Sequence, residues 1–286
     1  LIDLHTHTTE SDGRCAPAEL VARAAASGVT VLAVTDHDTV SGCEAAAAAC
    51  AAAGIGFVAG IEITAVRDDL DVHLLGYFVD LASADLQRFL DEQRRQRIDR
   101  LRQIMTRLAS FGIALDADDV LRPALEDRRK SAGRPWIARA LVARGAVATI
   151  GEAFDRWLEP GKPAFVPRAG ASPQQVIRLV HAAQGVASLA HPVLVGHDEW
   201  IPGLVGDGLD AIEAYHSKHD ADATSRYVAM ASAMGVAVSG GSDYHGDPSH
   251  GPAHPGSVTL PEGDYERLLQ RRAARRATAS GESVSS

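Results

Sequence analysis

His5 and His7 stand two positions apart at the end of a short apolar run, "LIDLHTHT", with Asp3 beside them. Alternation along a β-strand points residues i and i+2 to one face. The pair is either a metal clamp or two polar groups where a strand meets solvent. The same residue types recur down the chain. Asp36 and His37 close "VTVLAVTDHD", Glu62 lies near the end of "IGFVAGIEITAV", and His73 sits in "LDVHLLGYF". His191 closes "VASLAHP", Glu213 and His216 end "LDAIEAYH", and Asp243 and His245 end "VAVSGGSDYH". Asp12 belongs to "SDG", which alone reads as a turn with helix-capping side chains. A single histidine at a strand end is more often a hydrogen-bonded structural residue than a ligand. The shared address alters that balance, because (β/α) barrels build their active-site mouths at the carboxyl ends of strands.

Imidazole nitrogen and carboxylate oxygen suit Mn²⁺, Fe²⁺ and Zn²⁺. A carboxylate can also bridge two ions. The candidates outnumber the ligands one ion needs, so a site for two or three ions is the economical reading. Such clusters acidify bound water and clamp the attacking and leaving oxygens of an in-line phosphoryl displacement. No cysteine falls in the set, which argues against a structural zinc.

The elements that must hold these groups alternate between strand and helix. "PAELVARAAASG" is a helix with Pro17 near its start and Gly28 just past its end. "VTVLAVT" is a buried strand, "CEAAAAACAAAG" a second helix and "IGFVAGIEITAV" a third strand. "LDVHLLGYF" follows after too few residues for a helical crossover, so regular alternation breaks there. From about Ala84 to Gly112 one long helix with a dense arginine face is expected, followed by the shorter "RPWIARALVARG" and "GEAFDRWLEPG". Alternation resumes at "SPQQVIRLVHAAQG" and continues through "VASLAH", "LDAIEAYH", a helix near 220–234, and "VAVSGGSDYH". Seven strand candidates, mostly with crossover helices, point to a parallel α/β barrel rather than an open sheet. The expected divisions are a first barrel part at 1–92, a helical insertion at 93–165, a second barrel part at 166–275, and an unstructured Ser-rich tail at 276–286.

Composition narrows the function classes. The 286 residues are 46% hydrophobic and 23% charged, the make-up of an ordinary globular protein. A net charge of -9 argues against a generalised nucleic-acid-binding surface, and so against long polymers as partners. No apolar run approaches the roughly 18 residues of a membrane span. With no secretory leader before the first motif, a cytoplasmic location is the default expectation. The chain opens at Leu1 directly before that motif, as though a residue or two had been cut away. Cys15, Cys43 and Cys50 are odd in number and lack C-x-x-C spacing, so reduced thiols are expected. Nothing in the sequence names an oligomeric state.

Taken in register, the motifs resemble one family. H-x-H after the first strand, "SDG", "TDHD", "GIE", "VHLLGY", "AHP" and "GSDYH" are similar in order and spacing to those of the PHP (polymerase and histidinol phosphatase) domain, over essentially the whole chain. The resemblance implies a distorted (β/α)₇ barrel, here with an inserted small helical subdomain, holding two or three divalent ions. It implies a first ion on His5, His7, Glu62 and Asp243, and a second that shares Glu62 and takes His73 and His191. A third falls to Asp12, His37 and His245; some relatives have histidine where this chain has Asp12. Asp3 and Asp36 are then supports behind the ligands. "GRPWIARALVARG", "AFDRWLEPGKPAFVP" and "AIEAYHSKH" resemble segments of stand-alone phosphoesterases. That branch includes a phosphatase that removes the 3′-phosphate of 3′,5′-bisphosphonucleotides and a 5′→3′ exonuclease acting on short RNA.

The insertion adds anion handles of its own. Arg134 opens a helix at its phosphate-favouring N-terminus, and Lys162, one of three lysines, sits in a Pro/Gly turn. Arg168 and His219 are further candidates, and Trp136 is either a base-stacking platform or a core aromatic. Most arginines between Arg94 and Arg102 are expected on a solvated helix face, with one or two reaching the site. His181, His197, His250 and His254 fit no ligand slot. The expected reaction is hydrolysis of a nucleotide phosphate monoester, foremost the 3′-phosphate of a 3′,5′-bisphosphonucleotide, by attack of a metal-bridging hydroxide. Asp243 and His245 act at the cluster, and His216 or His219 protonates the leaving oxygen. The alternative is a 5′→3′ exonuclease on short oligonucleotides. The rivals are a C–N hydrolase, which has no use for a basic insertion, and a non-catalytic metal-stabilised nucleotide- or protein-binding domain.

Overall fold

A computed structural model describes residues 1–247 and 251–279. Seven strands form one sheet in chain order: β1 (Ile2–Asp3), β2 (Val31–Val34), β3 (Gly56–Arg67), β4 (Leu70–Tyr77), β5 (Val186–Leu189), β6 (Ala211–Tyr215) and β7 (Ala237–Gly240). β1, β2 and β3 pair in parallel, as do β5, β6 and β7. β4 runs antiparallel to both β3 and β5, and the parallel barrel is interrupted at the strand where the sequence breaks regular alternation. Only Asp68 and Asp69 join β3 to β4, both at positive φ, so a tight hairpin replaces a crossover helix. The sheet curls nearly closed. The Leu4 N–H donates to the Gly240 carbonyl at 3.2 Å, and the Asp243 N–H to the His5 carbonyl at 2.8 Å. Gly241 permits this seam, because a Cβ there would lie 2.3 Å from the His5 nitrogen.

Helices cover the outside: α1 (Pro17–Ala26), α2 (Gly42–Ala53), α7 (Pro173–Ala182), the short α8 (Pro192–Val195) and α9 (Ile201–Gly206), α10 (Ala221–Ala233) and α11 (Glu262–Ala279). α7 starts in a full capping box between Ser172 and Gln175. α11 continues through Ala279, so the start of the tail expected to be unstructured, at 276, is helical; 280–286 and His250 lie outside the described residues. No helix among the described residues is long and apolar enough to cross a membrane.

Between β4 and α7 lie α3 (Ala84–Ser110), α4 (Ala117–Glu126), α5 (Arg134–Ala143) and α6 (Ile150–Ala153), the last running into a π-helical turn at Phe154–Leu158. Leu86 and Leu90 of α3 pack into the barrel core. From Ile98 onward α3 packs instead into a second core with residues such as Leu121, Ile137, Leu141 and Val166. A single 27-residue helix therefore links barrel and insertion, and its middle lies at their junction.

Candidate metal centre and arginine cage

Glu62 is the hub. Its Oε2 lies 3.3 Å from His5 Nε2, 3.2 Å from His7 Nε2 and 3.1 Å from His37 Nδ1. Its Oε1 lies 2.9 Å from His73 Nδ1 and 3.0 Å from His191 Nε2. Asp243 Oδ1 closes the first group, 3.4 Å from His5 Nε2 and 3.1 Å from His7 Nε2. Ligand atoms bonded at about 2.0–2.2 Å to one ion stand about 3–3.6 Å apart, so these gaps match the edges of a coordination shell. Asp12, His37 and His245 form a looser group with the other face of His7, at separations of 3.3–3.8 Å.

Polar satisfaction gives an independent test of fit. His5 Nε2, both nitrogens of His7, His37 Nδ1 and Glu62 Oε2 are buried and have no hydrogen-bond partner. Buried polar atoms are normally paired; these all converge on one space, as ligands of a cation would. Charge leads to the same conclusion. Burial favours a neutral Glu62, yet His37, His73 and His5 hold its carboxyl well below the usual range. Burial works to lower His7, but the carboxylates of Asp243 and Glu62 beside it push it up to about 10. The carboxylates thus demand positive charge at this point. The donor set is nitrogen and oxygen only, and it fits divalent ions such as Mn²⁺, Fe²⁺ and Zn²⁺.

Asp3 and Asp36 brace the segments that carry candidate ligands. Asp3 accepts from the Ser242 hydroxyl at 2.6 Å and from the Ser242 and Gly256 N–H groups, pinning the strand exit that carries Asp243. Asp36 accepts from the Thr8 N–H, the Thr8 hydroxyl and the Ser11 hydroxyl, fixing the turn that presents Asp12. Asp38, His191 and Asp243 all adopt positive φ, a strained backbone that clusters at functional sites. Glu213 had no role assigned from sequence. Its Oε1 takes His5 Nδ1 at 2.9 Å and its Oε2 takes the His191 N–H at 2.7 Å, so it aims two rings of the cluster.

His216 and His219 differ in what they offer. The Lys218 N–H donates to His216 Nδ1, which leaves the proton of a neutral ring on Nε2, 3.3 Å from Asp243 Oδ2. His219 Nδ1 must donate to the Ala214 carbonyl at 2.9 Å, which leaves Nε2 as a lone pair. Burial keeps His219 below its usual pKa.

Beside the cluster a cavity of about 130 Å³ runs from His37 and His73 to Arg97, Arg100, Arg134 and Arg168. Arg97 pairs with Asp38 at 2.6 Å, Arg134 with Asp71 at 3.2 Å, and Arg168 reaches both at 3.4 and 3.5 Å. Four guanidinium groups face two carboxylates, leaving two positive charges in excess. Burial and mutual repulsion push Arg100 down to about 9 and Arg168 to about 10, and both remain charged at neutral pH. Arg100 Nη2 and Arg168 Nε are buried without a hydrogen-bond partner.

Arg134 and Arg168, the expected phosphate contacts, line the cavity, and Arg97 and Arg100 are the two arginines of the 94–102 stretch that reach it. The signal was present: Arg97 falls on the buried stripe of α3, seven residues from Leu90 and seven from Ile104. Lys162, expected at the phosphate, is exposed in a turn and lines none of the cavities described; its neighbours Ala164 and Val166 take the inward positions. Trp136 lines a different cavity and donates through Nε1 to the Ser11 carbonyl. His181 pairs with Asp210 and His197 with Glu199, away from the cluster.

A nearly closed seven-stranded α/β barrel with a histidine–carboxylate centre at its strand ends and an arginine cage beside it defines the class. The PHP domain family model matches residues 3–184, and the chain belongs to that family. It is 35% identical over 251 residues to a 3′,5′-nucleoside bisphosphate phosphatase of Chromobacterium violaceum, covering 85% of this chain and 87% of that protein. It is equally 35% identical to a 5′-3′ exoribonuclease of Haemophilus influenzae, covering 85% and 89%. A solved Chromobacterium violaceum structure described as an amidohydrolase with bound sulfate and no metal superposes with a TM-score of 0.84 at 32% identity, covering 96% of each chain.

Proposed function

We propose that the chain is a metal-dependent phosphoesterase that removes the 3′-phosphate from a 3′,5′-bisphosphonucleotide. The observation that carries this reading is the single cavity that joins the histidine–carboxylate cluster to a cage with two uncompensated positive charges. A nucleoside with two phosphates fills both ends, whereas a monophosphate fills only one. The likeness to the bisphosphate phosphatase supports the same reading.

His5, His7, Glu62 and Asp243 would hold one ion, Glu62 with His73 and His191 a second, and Asp12, His37 and His245 a third. When bound, divalent ions supply charge against the phosphoryl oxygens and acidify water. The chain's own groups do the rest. Arg97, Arg100, Arg134 and Arg168 hold the phosphate that does not react, and so orient the one that does. Of His216 and His219, His219 is the better suited to protonate the leaving ribose oxygen: with Nδ1–H held by the Ala214 carbonyl, its Nε2 can take up a proton and deliver it, whereas His216, whose Nδ1 accepts from the Lys218 N–H, has only the one proton of a neutral ring.

The test is phosphate release with Mn²⁺ from adenosine 3′,5′-bisphosphate, AMP and an aryl phosphate. The bisphosphate should be preferred in kcat/KM by on the order of 10²-fold, the worth of one or two charge-assisted hydrogen bonds. Equal rates on all three, or no release from any by folded protein, overturns the reading. Arg134→Ala should narrow the preference for the bisphosphate by raising KM.

A further inference from the structure

A second cavity, of about 310 Å³, borders the Ser11–Gly13 turn that carries Asp12. Trp136 and Arg139 of α5 line it together with Lys130, Thr9, Ser11 and Gly13. α5 straddles two spaces. Arg134 lines the cage, while Trp136 and Arg139, three residues apart and so neighbours on one helix face, line this cavity. All three polar side chains are fastened to the backbone of the turn. Trp136 Nε1 donates to the Ser11 carbonyl at 3.1 Å, Arg139 Nη1 to the Asp12 carbonyl at 3.3 Å, and Lys130 Nζ to the Thr9 carbonyl at 2.9 Å. The Asp12 side chain faces His7, His37 and His245. The cavity is thus one peptide's width from the candidate metal centre. Among the described residues Arg139 makes no ion pair, whereas Lys130 Nζ pairs with Glu10 Oε1 at 3.3 Å and Asp119 at the rim is paired with Arg122.

We infer that this cavity receives the nucleotide beyond the scissile phosphate of a short oligonucleotide, its base against Trp136 and its backbone phosphate on Arg139. An aromatic face beside cations is the usual means of holding single-stranded nucleic acid without reading its sequence. A 3′,5′-bisphosphonucleotide has no group to place there, so the cavity matters only for longer substrates. The inference rests on the phosphoesterase reading and extends it: one centre serves a mononucleotide through the cage alone and an oligonucleotide through cage and cavity together.

The experiment compares adenosine 3′,5′-bisphosphate with 5′-phosphorylated triadenylate for the wild type, Trp136→Ala, Trp136→Phe and Arg139→Gln, all with Mn²⁺. Trp136→Ala and Arg139→Gln should lower kcat/KM on the trinucleotide about tenfold relative to the bisphosphate, within the range of a lost stacking contact. Trp136→Phe should recover most of that loss. Equal losses on both substrates, which a disturbed Asp12 turn would cause, overturn the inference. So does a wild type that hydrolyses the bisphosphate but not the trinucleotide. If the wild type hydrolyses neither, the phosphoesterase reading falls, and a calorimetric titration with the trinucleotide decides the cavity. Weaker binding by both Trp136→Ala and Arg139→Gln upholds it, and unchanged binding overturns it.

Discussion

Glu213 lies fully buried behind the histidine cluster, and its two oxygens do different work. One fixes the tautomer of His5 by taking its Nδ1, so that Nε2 turns its lone pair to the cluster. The other holds the N–H of His191, whose φ of 26° no ordinary residue adopts without strain of about 1–3 kcal/mol. Loss of such an outer partner typically weakens a metal site ten- to a hundredfold. Glu213→Ala should therefore keep the fold yet lose bound Mn²⁺ to a competing chelator by about that factor, read by elemental analysis after dialysis. Metal retention equal to wild type would leave Glu213 with no orienting role. Asp243→Ala removes a carboxylate that faces both His5 and His7, at 3.4 and 3.1 Å, and should abolish turnover; retained activity would mean that the first ligand group is misassigned.

At the scale of elements, α3 shows how an insertion can complete a site. Its first turns are held by the barrel and its last by a separate core, so Arg97 and Arg100 are carried across the barrel mouth with little freedom. Asp38 balances them from the barrel side. Burial raises the Asp38 pKa, but Arg97 and Arg168 outweigh it and hold the carboxyl below its usual range. Asp38→Asn leaves Arg97 and Arg168 facing one another with only Asp71 between them. Breaking a buried pair on one side typically destabilises by about 3–5 kcal/mol. The expected result is a lower urea midpoint with an unchanged slope, and addition of inorganic phosphate should raise the variant's midpoint by more than that of the wild type. An unshifted midpoint would show that the cage needs no counter-charge.

For the whole molecule, the net charge of -9 and the cationic cage are complementary features. The acidic exterior disfavours long polyanions, while the cage attracts a small one at short range. At the far end of the barrel, Asp210 ties four elements together through His181, the Ala187 N–H and Arg275. Burial favours its neutral form, but His181, the Ala187 N–H and Arg275 outweigh burial and hold its pKa down. A carboxyl depressed on folding contributes stability above its unfolded value of about 3.9, and that contribution is lost as pH falls through the folded value. The stability difference between wild type and Asp210→Asn should therefore be full at pH 5 and shrink below about pH 4, measured by urea unfolding at each pH. A difference that grows on acidification would reverse the sign assigned to Asp210.

The sequence by itself determined what depends on local period and residue type. Apolar runs specified the strands, and the strand ends specified where His5, His191 and Asp243 emerge; Glu62, expected near a strand end, lies midway along β3, which continues to Arg67. The three-residue gap between "IGFVAGIEITAV" and "LDVHLLGYF" foretold that a crossover could not fit there. Tertiary structure decided what depends on distance across the chain. Which arginines of the long helix reach the site is decided only when the second core turns the Arg97 and Arg100 face inward. Lys162 looks like a phosphate ligand until the burial of Ala164 and Val166 turns it out. Glu213 acquires a role only when β6 sets it behind His5, 208 residues away. Local pattern records which side chains share a face, whereas charge balance and ring orientation exist only once separate elements meet.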